Sequence, residues 1–229
     1  MTGQALSGRR IVVLGGTGGL GHEVTARFRD DGASVVVADA RPPREDRRHE
    51  GVEYVTVDVL DEASVAAAFA TSPPPRAIVN LIGGYTPPQP LAGLDVSVLR
   101  QQLEVNLVTA AIVTKHAMPV LAAQAGGTIV HVSSRVATGK GENSFAYSVS
   151  KLGVLRLVEA AAAEGRQLGV RVNCILPSII DTPANRAAMP RAQHDQWPKP
   201  AELAAILAFL VSDDAALISG AAIPVYGRA

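Results

Sequence analysis

A tyrosine and a lysine, Tyr147 and Lys151, carry the side chains in this chain best suited to acid–base chemistry. The alanine- and leucine-rich residues after them predict a helix, and residues four apart lie on one face of a helix. An ammonium group beside a phenol favours the phenolate, so we expect Lys151 to lower the pKa of Tyr147 from about 10. A hydroxyl from Ser133 or Ser134, at the end of the preceding predicted strand, could bond a substrate oxygen. Together these groups could protonate a carbonyl or deprotonate an alcohol, although the same tyrosine–lysine spacing also occurs in ordinary exposed helices.

A glycine-rich turn near the start of the chain indicates a second site. Gly15, Gly19 and Gly21 follow the apolar run Arg10–Leu14 and precede a helical pattern. Glycines allow a tight turn and a close approach to a pyrophosphate, whose charge is stabilised by free N–H groups at a helix start. A glycine turn can also serve only as a turn. Its place between a strand and a helix predicts nucleotide binding.

Two carboxylates follow the next two predicted strands. Asp39 could accept hydrogen bonds from both ribose hydroxyls of an adenosine and would repel a 2′-phosphate, which favours NAD(H) over NADP(H). Arg41 and Arg44 lie close by and could pair with that phosphate, so NADP(H) stays an alternative. Asp58 could receive the adenine amino group or serve only as a cap.

The order of predicted elements indicates an α/β fold. Strands alternate with helices throughout, which predicts a single-domain, doubly wound parallel sheet (a Rossmann fold) over residues 1–229, with about seven strands and helices on both faces. Ligands bind such sheets at the carboxyl ends of the strands, where the glycine turn and the carboxylates fall. A long helix is predicted over 94–123, in which Asn106 should have a buried polar partner. The proline-interrupted segment 177–199 is interpreted as a mobile lid with a short helix.

The composition restricts the functional classes. Acidic and basic residues balance at 21 each, so net charge does not point to nucleic acid or to a membrane surface. Cys174 is the only cysteine, and the five histidines show no metal spacing, so no metal is expected. His131, beside the serines, is interpreted as a structural residue of the strand face. No apolar run approaches the ~20 residues of a membrane span. We expect a cytoplasmic protein acting on a small molecule.

Several ordered motifs resemble those of the short-chain dehydrogenase/reductase (SDR) family. Its glycine motif matches residues 15–21, its Asp-Val pair matches Asp58 and Val59, and Asn80 to Gly83 keep part of its Asn-Asn-Ala-Gly motif. The resemblance implies a catalytic set of four residues: Asn106, Ser134, Tyr147 and Lys151. It implies binding of NAD(H) by Gly15, Thr17, Gly18, Gly19, Leu20, Gly21, Asp39, Asp58, Val59, Asn80, Gly83, Tyr147, Lys151, Pro177, Ile180 and Thr182.

In that family the tyrosine exchanges the proton, the lysine lowers its pKa and holds the nicotinamide ribose, and the serine orients the carbonyl. Asn106 would hold a water for proton relay. Such proteins are homodimers or homotetramers built on the helices around Asn106 and Tyr147, and the small residues 160–163 suit a close interface.

The substrate is predicted only as a small carbonyl or alcohol. The loop 176–197 resembles that of dihydropteridine reductases, and Gly83-Gly84 followed by Tyr85 points the same way, but those enzymes lack the serine that this chain has as Ser134. A dihydropteridine reductase-like NADH enzyme is therefore one alternative. A second is a nucleotide-sensing protein without turnover, and a third is a dehydratase or epimerase that uses bound NAD as a transient hydride store.

Overall fold

The computed structural model describes residues 5–228, and its centre is a seven-stranded sheet in which all neighbouring strands are parallel. The strand order is β3-β2-β1-β4-β5-β6-β7. The order reverses between β1 and β4, which places a crevice at the carboxyl ends of these two strands. The strands are β1 (Arg10–Leu14), β2 (Ser34–Asp39), β3 (Glu53–Thr56), β4 (Ala77–Asn80), β5 (Gly127–Val132), β6 (Val170–Pro177) and β7 (Ala222–Val225).

Helices cover both faces of the sheet, as predicted. They are α1 (Gly19–Asp30), α2 (Glu62–Phe69), α3 (Val96–Gln102), α4 (Thr109–Ala122), α5 (Phe145–Gly165), α6 (Pro183–Ala188) and α7 (Pro200–Val211). Alternate residues of a strand point to opposite faces. Val12 and Leu14 of β1 accordingly pack with α2, α4 and α5, whereas Ile11 and Val13 pack with α1 and α7. The single Rossmann-type domain predicted from the sequence is confirmed.

The long helix predicted over 94–123 is present but is not uniform. Between α3 and α4 the residues Leu103–Val108 form a π-helical segment, in which the N–H of Thr109 donates to the carbonyl of Glu104. By length and composition alone, Val96–Ala122 could cross a membrane. In this fold the segment packs against α2 and α5, and its π-helical turn carries the buried Asn106.

The segment between β6 and α7 contains the predicted short helix, α6. Thr182 caps it by accepting a hydrogen bond from the N–H of Asn185 (3.2 Å). The carboxylate of Asp181 holds the segment together, because it binds the Arg186 guanidinium through both oxygens (2.5 and 2.8 Å) and lies 3.6 Å from Lys199 Nζ. The proposed mobility of this segment stays a prediction.

Candidate active site

The glycine turn brings β1 into α1 with little room for side chains. A Cβ at Gly21 would lie 2.3 Å from the carbonyl oxygen of Gly15, so a larger residue would force the turn open. A Cβ at Gly19 would lie 3.2 Å from Thr182 Cγ2, which shows that the segment after β6 begins directly against this turn. Thr182, predicted from the resemblance alone, therefore lies beside the predicted glycine site.

The start of α1 suits an anion. Its N-cap, Gly18, offers no side-chain hydrogen bond, and the first turn contains no acidic residue. The first N–H groups of a helix lack intrahelical acceptors and carry a partial positive charge, which favours a phosphate at this position. The turn thus fits the pyrophosphate of a dinucleotide, as the glycine spacing predicts.

Asp39 ends β2 beside the turn and is bound to it. Its Oδ2 accepts hydrogen bonds from the backbone N–H and the hydroxyl of Thr17 (3.1 and 2.6 Å), and its Oδ1 accepts one from the N–H of Ala40 (2.8 Å). The carboxylate therefore positions the glycine turn, and its contact with a ribose stays a prediction. Arg41 and Arg44 are exposed, and Arg44 pairs with Asp46 at 3.3 Å.

Gly83, just after β4, lies between two of the catalytic candidates, Asn106 and Lys151. A Cβ there would lie 2.8 Å from both Asn106 Oδ1 and Lys151 Nζ. Any larger residue at this position would have to displace one of these two side chains. The predicted residues Gly83, Asn106 and Lys151 are therefore neighbours in space.

Asn106 is 1% exposed and is fully engaged by the protein. Its Oδ1 accepts from the N–H of Gly84, and its Nδ2 lies 3.0 Å from the Gly84 carbonyl oxygen, 3.0 Å from Ser150 Oγ and 3.2 Å from Gln102 Oε1. The buried partner expected for this amide is present, and it ties the π-helical segment to the loop after β4. The water implied by the resemblance stays a prediction.

Lys151 lies in the second turn of α5 and is 5% exposed. Its Nζ donates to the carbonyl of Val132 at 3.0 Å, which aims the ammonium at the end of β5. Burial lowers the pKa of Lys151 from 10.5 to about 8. Lys151 is therefore still mostly protonated at neutral pH, although its pKa lies closer to neutrality than that of an exposed lysine.

Tyr147 lies one turn before Lys151, whose Nζ is 5.9 Å from the centre of the phenol ring. Burial raises the pKa of Tyr147, a hydrogen bond with Ser134 offsets part of this effect, and Tyr85 adds to it. The direction is opposite to our expectation from the sequence. The reason is that the phenol is desolvated, while the Lys151 ammonium is directed to the Val132 carbonyl.

The two serines have different roles. Ser133 is buried and donates its hydroxyl to the carbonyl of Lys151 at 2.8 Å, so it ties β5 to α5. Ser134 is half-buried, hydrogen-bonds the Tyr147 side chain and accepts from the N–H of Val136 at 3.4 Å. The choice of Ser134 over Ser133 as the substrate-facing serine stays a prediction.

A polar chain behind the site was not foreseen from the sequence. His131 Nε2 lies 2.9 Å from Thr114 Oγ1, and the Thr114 hydroxyl donates to the Ala110 carbonyl, so Nε2 must carry the proton. Nδ1 then accepts from Asn80 Nδ2 (3.3 Å), and Asn80 Oδ1 accepts from the N–H of Ile82 (3.1 Å). Burial and the Lys151 charge lower the pKa of His131 to about 4. His131 is therefore a neutral residue that fixes the turn leading to Gly83.

The remaining predicted cofactor residues surround this edge of the sheet. Asp58 is exposed and its Oδ1 accepts from the N–H of Leu60, while Val59 packs against the core. Pro177 ends β6, and Ile180 packs against the core beside Leu20. Within residues 5–228, no group of three or more histidine, cysteine or acidic side chains could hold a metal ion.

Comparisons with known proteins agree with this geometry. A family described as Enoyl-(Acyl carrier protein) reductase matches residues 15–227. A cis-4-hydroxycyclohexanecarboxylate dehydrogenase from Sinomonas cyclohexanicum is 35% identical, with 98% of this chain and 98% of that protein aligned. Dehydrogenase/reductase SDR family member 4 from Bos taurus is 31% identical over 97% of this chain and 87% of that protein.

Solved structures give the same result. A short-chain dehydrogenase/reductase from Burkholderia xenovorans superimposes with a TM-score of 0.88 at 30% identity and covers 98% of this chain and 97% of that one. Another, from Mycobacterium ulcerans, gives a TM-score of 0.86 at 27% identity, covering 97% and 90%. This chain belongs to the short-chain dehydrogenase/reductase family and is an NAD(P)-dependent oxidoreductase acting on alcohols or carbonyls.

Proposed function

We propose that this enzyme uses NAD(H) and that Tyr147 exchanges a proton with a small carbonyl or alcohol substrate. The observation that carries the proposal is that Lys151 lies beside Asn106 at Gly83, that its Nζ is 5.9 Å from the centre of the Tyr147 ring, and that Tyr147 hydrogen-bonds Ser134. The cofactor, when bound, supplies or accepts the hydride.

The chain's own residues account for the proton. In reduction, the Tyr147 phenol is protonated at neutral pH because burial raises its pKa, and it is ready to donate to a carbonyl oxygen. Ser134 donates a second hydrogen bond to that oxygen and polarises it. In oxidation, Tyr147 must first lose its proton, and the Lys151 ammonium stabilises the phenolate that forms; the phenolate then accepts the alcohol proton and becomes a phenol again. Asn106 holds the loop after β4 so that Lys151 keeps its position.

The replacement of Tyr147 by Phe tests the proton role. We expect Tyr147→Phe to lower kcat by about 10²- to 10⁴-fold, the usual contribution of a positioned acid–base group. Tyr85→Phe is the matched control, because Tyr85 packs edge-on to Tyr147 with ring centres 5.1 Å apart and is 62% exposed. Unchanged turnover in Tyr147→Phe would overturn the mechanism and favour a nucleotide-sensing role.

The preference for NAD(H) rests on Asp39. A carboxylate here can accept from the ribose hydroxyls and would repel a 2′-phosphate. We expect fluorescence titration to give tighter binding of NADH than of NADPH. Asp39→Asn keeps a hydrogen-bond acceptor for Thr17 but removes the negative charge, so it should reduce the difference between the affinities for NADH and NADPH. Tighter binding of NADPH by the unaltered enzyme would assign the phosphate to Arg41 or Arg44 instead.

The names of two similar proteins support a proposal for the substrate class. By their names, one relative oxidises cis-4-hydroxycyclohexanecarboxylate and another a dichlorinated cyclohexadiene diol. We propose a small secondary alcohol, or its ketone, as the substrate of this enzyme and expect activity within a panel of ring alcohols that includes these compounds. Activity confined to acyclic alcohols would contradict the choice of a ring.

A pteridine is the second candidate. The exposed ring of Tyr85 at the mouth of the site favours a flat aromatic substrate, because aromatic faces stack. NADH-dependent reduction of a quinonoid dihydropterin, lost in Tyr85→Ala and kept in Tyr85→Phe, is the expected result for this candidate. Absence of that reduction removes it.

We propose a homodimer or homotetramer built on α4 and α5. Val108 and Leu152, on the helical segments that carry Asn106 and Tyr147, are 44% and 50% exposed, and burial of such side chains stabilises association. Light scattering should show the oligomer for the unaltered chain and a smaller species for Leu152→Glu. The cytoplasmic location stays a prediction.

A further inference from the structure

A cavity of about 570 Å³ opens at the amino ends of the strands, on the edge of the sheet opposite the active site. The starts of β5 and β6, the last turns of α5 and the residues after α7 line it. Its wall includes four arginines, Arg9, Arg76, Arg166 and Arg171. Nothing in the proposed reaction uses these residues.

The charges of the cavity do not balance. Its two carboxylates are Asp213 and Glu159. Arg9 forms an ion pair with Asp213, and the charges of Arg171 and Arg76 act on the same carboxylate. Glu159 pairs at 2.8 Å with Arg156, which does not line the cavity. The lining therefore carries an excess of positive charge.

Two of the arginines are fixed in place by backbone carbonyls. Arg171 donates to the carbonyls of Leu210 (3.0 Å), Ser212 (3.2 Å) and Ile218 (3.2 Å), and Arg76 donates to that of Gln124. The carbonyls of Gln124, Leu210 and Ser212 lie at or just beyond the ends of α4 and α7, where cations are favourable. Burial and the neighbouring Arg9 charge lower the pKa of Arg171, and the Asp213 carboxylate, which pairs with Arg9, opposes this effect. A bound anion would add to the compensation that Asp213 provides.

Helix capping does not account for two other groups in the wall. Within residues 5–228, the Arg166 guanidinium is exposed and makes no hydrogen bond or ion pair, and the hydroxyl of Thr128, a residue 1% exposed, has no hydrogen-bond partner. A buried hydroxyl without a partner is costly, and buried polar groups normally have one. A ligand with acceptor oxygens would satisfy either group.

We propose that this cavity binds a small phosphate-bearing dianion, held by Arg166, Arg9 and the Thr128 hydroxyl between the prepositioned Arg76 and Arg171. Arginine suits this role because its planar group binds phosphate oxygens in pairs. The volume lies within the range of small-ligand sites and has room for inorganic phosphate or for a small phosphate monoester.

Calorimetric titration with inorganic phosphate, above its second pKa and against chloride of matched ionic strength, tests the proposal. We expect Arg166→Gln to weaken phosphate binding about tenfold or more, the loss typical of a hydrogen bond to a charged group. Arg100→Gln is the matched control, since Arg100 is an exposed arginine of α3 that lies outside the cavity. Equal affinity in Arg166→Gln and the unaltered protein, or no phosphate binding at all, overturns the proposal. Phosphate bound at the glycine turn would give that equal affinity.

A second variant separates ligand binding from folding. Thr128→Val removes a hydroxyl that bonds nothing in the described chain, so the variant should be at least as stable as the unaltered protein and should bind phosphate more weakly. Unchanged binding in this variant would show that the hydroxyl does not serve the ligand. Ribose 5-phosphate is the second probe: tighter binding than phosphate assigns the site to a phosphate ester, and equal binding assigns it to phosphate itself.

Discussion

A methyl group at Gly83 tests the geometry of the active site directly. A Cβ there would lie 2.8 Å from Lys151 Nζ and Asn106 Oδ1, while non-bonded heavy atoms rest at about 3.5 Å or more. The two side chains, or the chain between them, must therefore move by about 0.7 Å. Asn106 is held by Gly84, Gln102 and Ser150, so the displacement falls mainly on Lys151.

A shift of this size should lower the rate of turnover strongly and the stability of the fold only modestly. Misplacement by about 1 Å can cost about 10²-fold in rate, so we expect Gly83→Ala to lower kcat/KM by about 10- to 100-fold. Overpacking of this kind costs about 1–3 kcal/mol of stability, which leaves a folded protein for the assay. Gly93→Ala is the matched control, because a Cβ at Gly93 meets nothing within 4 Å.

The assay is steady-state oxidation of an alcohol that the unaltered enzyme accepts, with NADH affinity measured separately by fluorescence. We expect kcat to fall in Gly83→Ala and to stay unchanged in Gly93→Ala. A kcat of Gly83→Ala within about twofold of that of the unaltered enzyme would show that the methyl group does not displace Lys151, because displacement of a catalytic group has a much larger effect. A loss confined to NADH affinity would show the same, because the methyl group would then only obstruct the cofactor.

Three further predictions concern titration and capping. The pKa of His131 is about 4 in the folded protein against 6.5 unfolded, so the unfolded state binds the proton first and about 3 kcal/mol of stability should be lost as pH falls from 6.5 to 4. Urea unfolding of His131→Asn should show a flatter profile over that range, and parallel profiles would contradict the assignment. Folding also lowers the pKa of Lys151, from 10.5 to about 8, so the free energy of unfolding of the unaltered protein relative to that of Lys151→Met should rise between pH 8 and 10.5. A difference between the two proteins that does not change with pH would show that Lys151 is not desolvated. Asp61 caps α2 by accepting a hydrogen bond from the N–H of Ala63 (3.0 Å), so Asp61→Ala should lower the free energy of unfolding in urea by about 1 kcal/mol and leave turnover unchanged. A loss of turnover in this variant would show that α2 affects the active site.

Local patterns in the sequence determined the fold and the position of most site residues along it. The apolar runs separated by helical periods define a parallel sheet, and parallel strands bring their carboxyl ends to one edge. The glycine spacing of residues 15–21 and the four-residue spacing of Tyr147 and Lys151 are local features, so their geometry follows from one turn and one helix.

Contacts between distant segments were decided only by the tertiary structure. The π-helical turn at Asn106 depends on the backbone of Gly84, 22 residues away, and the chain from Asn80 through His131 to Thr114 joins two strands and a helix. The direction of the Tyr147 pKa shift was predicted wrongly for the same reason. Spacing along a helix sets the distance to Lys151, but desolvation is set by everything that packs around the phenol.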